Sequence, residues 1–279
     1  MARKLGYGGL ANTAGARDFT GKAAAVIALP PTHVGLVTLT QAGVLTTAVA
    51  VAPDVATTAQ GQSAGDETSH AITMPSGIEA GDRLLVFLAV DHDSGGVTKS
   101  TGDAWTRRHT TGGAITDFEV WERIADAGEG SSQTWEWTNA QRLTYIAYRI
   151  TGAHPSDAIE ASANAQGFTT TPNPGKLTPS WNRSPVLWIG AFGGDAFGVI
   201  PTTYPSGYSG GIYETAAEAQ GMVVGAAWRK TTALSENPGA FTLDGQRWWH
   251  AVTVGVRAYH RPAVSLTVPG ISSVTLANN

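Results

Sequence analysis

The sequence predicts an all-β protein, an antiparallel β-sandwich of jelly-roll type with extended N- and C-terminal arms. Three observations lead there. Short apolar stretches alternate with polar residues at period two, as in strands buried on one face. Gly, Pro, Asn and Asp clusters punctuate the gaps between them. No segment sustains a helical period; Ala158 to Ala165 is the one brief helical candidate. Eight to ten strands over roughly 190 residues suit a jelly roll.

The stretch from His70 to Asp93 organises the rest. Ile72 and Met74 are apolar at alternate positions, so one face of a first strand is buried. Pro75-Ser76-Gly77 and Ala80-Gly81-Asp82 form turns. Leu84 to Val90 is an unbroken apolar run, too short to span a membrane and fitting a strand covered on both faces. Further strands are predicted at Trp105 to His109, Phe118 to Ile124, Gln133 to Trp137, Arg142 to Thr151, Pro185 to Phe192, Met222 to Trp228 and Arg247 to Tyr259. Trp135 and Trp137 share one face of their strand. Gly193 to Gly221, rich in Gly, Tyr and Pro, is expected to be a long loop.

Four segments follow: an arm over residues 1–52, a linker over 53–69 made of small polar residues, a sandwich over 70–260, and an arm over 261–279. Residues 1–22 lack periodicity and are expected to order only on a partner. Val37 to Thr40 and Val44 to Val51 read as two strands around a turn, a hairpin too small to stand alone. Val37-Thr-Leu-Thr-Gln-Ala-Gly-Val44 matches Val264-Ser-Leu-Thr-Val-Pro-Gly-Ile271, one copy in each arm. Such arms suit strand addition between subunits.

Composition narrows the classes of function. Only 14% of residues are charged, against roughly 25% in typical soluble domains, which suits a protein with much of its surface covered. A net charge of -4 with no basic run gives no pull toward nucleic acid. Arg107-Arg108, the densest basic pair of the central region, reads as a solvated strand edge. There are no cysteines, so disulfides and thiolate zinc sites are excluded. Arg3 and Lys4 are followed by Gly-Tyr-Gly-Gly rather than an apolar run, so folding in the cytosol, without membrane insertion, is the expectation.

Chemistry-bearing patterns are few. Asp91 and Asp93, two apart at a strand end before Gly95-Gly96, are weak calcium candidates; an acidic ligand twelve positions along is missing. Glu119, Glu122 and Glu136 bring paired glycosidase acids to mind, but Glu119 and Glu122 lie three apart on a strand and point to opposite faces. Acids on strands are ordinarily solvated. No His-x-His, His-Glu-x-x-His, Gly-x-Ser-x-Gly or phosphate-cradling loop occurs. Trp135, Trp137, Tyr204, Tyr208 and Tyr213 are candidates for an aromatic glycan surface, with core or subunit packing as the plainer role.

The runs HAITMPSGIEAGDRLLVFLAVD, DAWTRR, FEVWERIADAGEGSSQTWEWTNA and TYIAYRITGA, over residues 68–155, resemble a domain of minor structural proteins of tailed bacteriophages and related prophage elements. The shared pattern is a Pro-x-Gly-x-x-x-Gly-Asp turn into an apolar strand, a Trp strand, a variable loop and a closing Tyr-Arg-Ile-Thr-Gly-Ala. These motifs are structural. The resemblance implies a non-enzymatic virion protein at the particle surface, as a tail appendage or a capsid decoration or fibre. It would be assembled in the host cytoplasm without a cofactor. Its partners would be other virion proteins and further copies of itself, a trimer being favoured. Its loops would meet the host, with a host-surface glycan as a further partner. The alternatives are a carbohydrate-binding module and a polysaccharide depolymerase.

Overall fold

The computed structural model describes residues 25–28, 36–39, 43–91, 96–99, 104–111, 116–156, 158–195, 198–216, 221–268 and 274–277. All regular structure among them is β, and the chain divides into two units, Ala52–Tyr259 and the terminal segments Met1–Val51 with His260–Asn279. The expected disorder of residues 1–22 lies outside the described residues.

The terminal unit holds β1 (Ala25–Ala28), β2 (Leu36–Leu39), β3 (Gly43–Val51), β20 (Tyr259–Val268) and β21 (Val274–Ala277). The expected hairpin of the N-terminal arm is not formed. β2 pairs antiparallel with β1 and with β21, whereas β3 pairs with β20. Strands from the two ends of the chain thus close on each other. The sequence match between the arms reflects similar β-forming stretches that the ladders assign to different partners.

The sandwich carries sixteen strands among the described residues, more than expected, because it contains two jelly rolls in tandem. The first is built from β4 (Asp54–Gln62), β5 (Glu67–Thr73), β6 (Arg83–Asp91), β7 (Val97–Lys99), β8 (Thr106–Thr110), β9 (Thr116–Ile124), β10 (Ser132–Gln141) and β11 (Leu143–Thr151). Its larger sheet runs β4-β11-β6-β9-β8 and its smaller one β5-β10-β7. Counted within this half, the first, eighth, third, sixth and fifth strands form one sheet, and the second, seventh and fourth form the other. That is jelly-roll order, with the fifth strand moved to the edge of the larger sheet.

The second half repeats it. β12 (Ile159–Ala161) and β13 (Ala165–Thr169) share the first position. They are followed by β14 (Val186–Asp195), β15 (Pro201–Thr203), β16 (Ser209–Thr215), β17 (Met222–Thr231), β18 (Thr242–Leu243) and β19 (Arg247–Arg257). The large sheet runs β12-β19-β14-β17-β16, with β13 also on β19. β15 pairs with β18, and Phe241 N–H and Leu243 N–H donate to the carbonyls of Pro172 and Thr170, standing where β10 meets β5 in the first half.

The two large sheets stack face to face. Leu85, Phe87, Ala89, Phe118, Val120, Ile146, Tyr148 and Ile150 meet Leu187, Ile189, Ala191, Val224, Ala226, Val252, Val254 and Val256 in one buried core. The other face of the first sheet (Leu84, Val86, Leu88, Val90) packs on Ile72, Trp135 and Trp137. The unbroken run from Leu84 to Val90 is thus buried on both faces, as the sequence predicts. The second sheet's outer face is covered by Phe241, Leu243 and Val199 and, at its far end, by Leu177 and Trp181.

Three expectations are corrected. Residues 53–69 are not a linker: β4 is an edge strand laid along β11, its small inward residues fitting under larger ones, as Gly61 does under Tyr145. Ala158 to Ala165 forms β12 and the start of β13, held by the β19 ladder rather than by helical propensity. Gly193 to Gly221 is not one long loop; it carries the end of β14, β15 and β16. The Pro-x-Gly-x-x-x-Gly-Asp turn is a scaffold element. Gly81 has φ 91°, which only glycine adopts freely. Asp82 accepts from Glu79 N–H at 2.9 Å and from Arg149 Nε at 2.5 Å, tying the turn to β11.

Candidate functional site

Glu119 and Glu122 of β9 occupy opposite faces of their strand, as their spacing requires. Both are buried, which corrects the expectation that they are solvated. Glu122 is held between Arg83, at 3.1 Å, and Arg108. Arg83 also donates to the His154 carbonyl at 2.8 Å. Glu119 accepts from Arg107 at 3.2 Å, Thr110 Oγ1 at 3.1 Å and Trp121 Nε1 at 2.7 Å. Burial nevertheless raises its pKa to about 7. Arg107 and Arg108 are therefore counter-ions of buried carboxylates rather than a freely solvated edge. Adjacent on β8, Arg107 and Arg108 point to opposite faces and so meet the carboxylates on the two faces of β9. A bulge between Arg107 and His109 turns His109 to the face opposite Arg107. Glu136 is exposed on β10. The backbone of β9 stands between Glu119 and Glu122, so this trio has no paired-acid geometry.

The expected aromatic surface is not assembled. Trp135 is fully buried and Trp137 nearly so, both between the sheets of the first jelly roll, leaving no face for a ligand. Tyr204, Tyr208 and Tyr213 belong to the second half. Tyr204 packs on Phe241 with ring centroids 5.9 Å apart. Tyr208 donates its hydroxyl to Glu236 at 3.1 Å, with Arg229 over its ring and paired with the same carboxylate at 2.6 Å. Burial and that carboxylate push the Tyr208 pKa up. Tyr213 is half-buried on β16 beside Tyr204. Asp91 ends β6 half-buried opposite Thr116, and Asp93 lies outside the described residues. Among the described residues no group of three or more His, Asp or Glu is placed to hold a metal ion. Nor is any helix there long and apolar enough to cross a membrane.

A different group gathers where the jelly rolls meet at one end of the sandwich. β8 contributes His109, β9 Asp117, the β12–β13 connection Asn164, β13 Gln166 and Phe168, and β19 Trp248 and His250. Antiparallel pairing sets Gln166 opposite His250 and Phe168 opposite Trp248. These four share one face because residues two apart on a strand do. Asn164 Nδ2 lies 3.0 Å from His250 Nδ1 and 3.3 Å from Gln166 Oε1. His109, packed edge-on against Phe118, is buried, and its Nε2 has no hydrogen-bond partner. Desolvation lowers its pKa to about 4, opposed by Asn164 and reinforced by His250. Burial also lowers the His250 pKa, with Asp117 acting the other way.

The aromatic members are open. Phe168 is 48% exposed and Trp248 43%, their ring centroids 5.3 Å apart and tilted by 44°. Their backbone is held from behind. Trp249 is buried on the opposite face, lies against Gly167 where a Cβ would come within 2.8 Å of its ring, and donates Nε1–H to Thr169 at 3.0 Å. One sequence signal marks this place: adjacent tryptophans on a strand must point to opposite faces, so Trp248-Trp249 puts one indole inside and the other outside. Phe168, His109 and Asn164 carry no comparable signal.

No protein-family model matches the chain, and neither a curated protein nor a solved structure matches it.

Proposed function

We propose that this chain is a structural protein of a tailed-phage or prophage particle, standing on the virion surface and assembling through its terminal strands. The observation that carries the proposal is the pairing of the two chain ends with each other. β1-β2-β21 and β3-β20 are sheets of three and two strands. Sheets this small are marginal in water unless something covers them, and their edges offer backbone groups to a neighbour. Other virion subunits and further copies of this chain, in a trimer, would supply that cover. The tandem sandwich, with its carboxylates locked to arginines, then serves as a rigid body displayed outward. Jelly rolls recur in viral capsid and lectin domains alike, so the fold supports this setting without singling it out.

The test is the molar mass of the protein in solution, for the full chain and for residues 52–259, with circular dichroism to follow folding. A trimer that becomes a folded monomer on trimming is expected. A full chain that is monomeric, and stays so when trimmed, would overturn assembly through the arms.

A second reading, glycan binding in host adsorption, is favoured by the open Phe168–Trp248 pair.

A further inference from the structure

The two faces of the β13–β19 ribbon are finished differently. One buries Trp249. The other leaves two large aromatic rings open side by side and rimmed by polar side chains, an arrangement that suits a ligand surface. The polar side chains next along that face are neutral amides and imidazoles: Asn164, Gln166 and His250. Burial favours the neutral form of both histidines at this end of the sandwich. Behind them lies a buried imidazole nitrogen, His109 Nε2, without a partner.

We propose that Phe168 and Trp248, with Asn164, Gln166 and His250 beside them, bind a neutral sugar ring. A pyranose has an apolar C–H face and an edge of hydroxyls. The aromatic pair offers a surface for the first. The amides, each with donors and an acceptor, suit the second, since every hydroxyl both gives and takes a hydrogen bond. Two residues along an antiparallel strand span about 7 Å. Trp248 and His250 are therefore spaced so that one ring lies on the indole while its hydroxyl edge reaches the amide group. Asp117, near His250, places negative rather than positive charge behind the site, so the site is set against acidic sugars. The geometry comes from the sandwich alone and does not depend on the terminal strands. Failure of the site and failure of arm-driven assembly are therefore separate outcomes.

The experiment titrates the full chain with maltohexaose, with chitohexaose, and with polygalacturonate as the acidic control. It follows tryptophan emission and saturation-transfer NMR, for the parent, Trp248→Ala, Phe168→Leu and Gln166→Ala. The expected result is binding of a neutral oligosaccharide with a change in tryptophan emission. Affinity should drop by roughly tenfold or more in Trp248→Ala and less in Phe168→Leu and Gln166→Ala. Circular dichroism checks that each variant is folded at the titration temperature, since more than half of Trp248 and of Phe168 is covered and their truncation is expected to lower the melting point somewhat. Absence of binding by both neutral probes would overturn the proposal. So would binding that survives Trp248→Ala, polygalacturonate binding as tightly as the neutral probes, or a Trp248→Ala effect confined to molar mass, which would make the ring pair a contact between copies.

Discussion

Single residues set the acid–base behaviour of this protein, and two of them pull in opposite directions. Glu119 has a pKa raised by burial from 4.5 to about 7, so its contribution to stability is greatest below pH 4.5 and is lost as pH rises toward 7. His109 has a pKa lowered by burial from 6.5 to about 4, so its contribution is complete above pH 6.5 and is lost as pH falls toward 4. From pH 4.5 to 6.5 the two slopes oppose each other, each up to about 1.4 kcal/mol per pH unit. Single substitutions should unmask them. Glu119→Gln should leave a protein that weakens on acidification relative to the parent, and His109→Gln one that weakens as pH rises. Denaturant titrations across that interval measure it, and curves running parallel to the parent's would refute both assignments. The sequence shows where these groups stand along their strands but not how deeply they are covered. The opposed faces of Glu119 and Glu122 follow from spacing, whereas their burial depends on arginines brought in from β6 and β8. Trp135 and Trp137 likewise share a face as expected, yet that face is the interior of a sheet pair.

Strands are legible where they obey one strong rule and illegible where they obey several weak ones. Leu84 to Val90 and Pro185 to Phe192 are unbroken apolar runs because β6 and β14 lie mid-sheet with side chains covered above and below. β4 has the composition of a linker: alternate residues from Asp54 to Gln62 are half-buried, but they are Val, Thr, Ala and Gly, chosen small to fit beneath β11. At the sheet-to-sheet interface the demand for smallness is absolute at Gly193 of β14, where a methyl group would collide with the Phe118 ring and press on Ala89. Gly193→Ala should force the large sheets apart locally and cost about 1 to 3 kcal/mol, read as a lower denaturation midpoint with an unchanged slope. A neutral outcome would mean that the two sheets are not in close register there.

The whole sandwich is two copies of one topology sharing a core. The repeat survives in strand order and in the placement of each covering segment, but not as a visible sequence period, since packing constrains which face is apolar far more than which residue supplies it. Neither half keeps Phe87, Phe118 and Tyr148, or Ile189, Val224 and Val254, away from water without the other. Residues 52–259 should therefore unfold in one calorimetric transition whose enthalpy matches the van't Hoff value; two resolved transitions would show that the halves are independent. The same arrangement bears on birth at the ribosome. In each half the first strand lies against the last, so the first sheet can close only when Thr151 has left the exit tunnel. Its apolar face then waits for roughly 100 further residues of synthesis, on the order of 5 to 20 seconds at cellular elongation rates. During that interval the nascent chain presents half of an unfinished core, and a chaperone or a neighbouring polypeptide has time to find it.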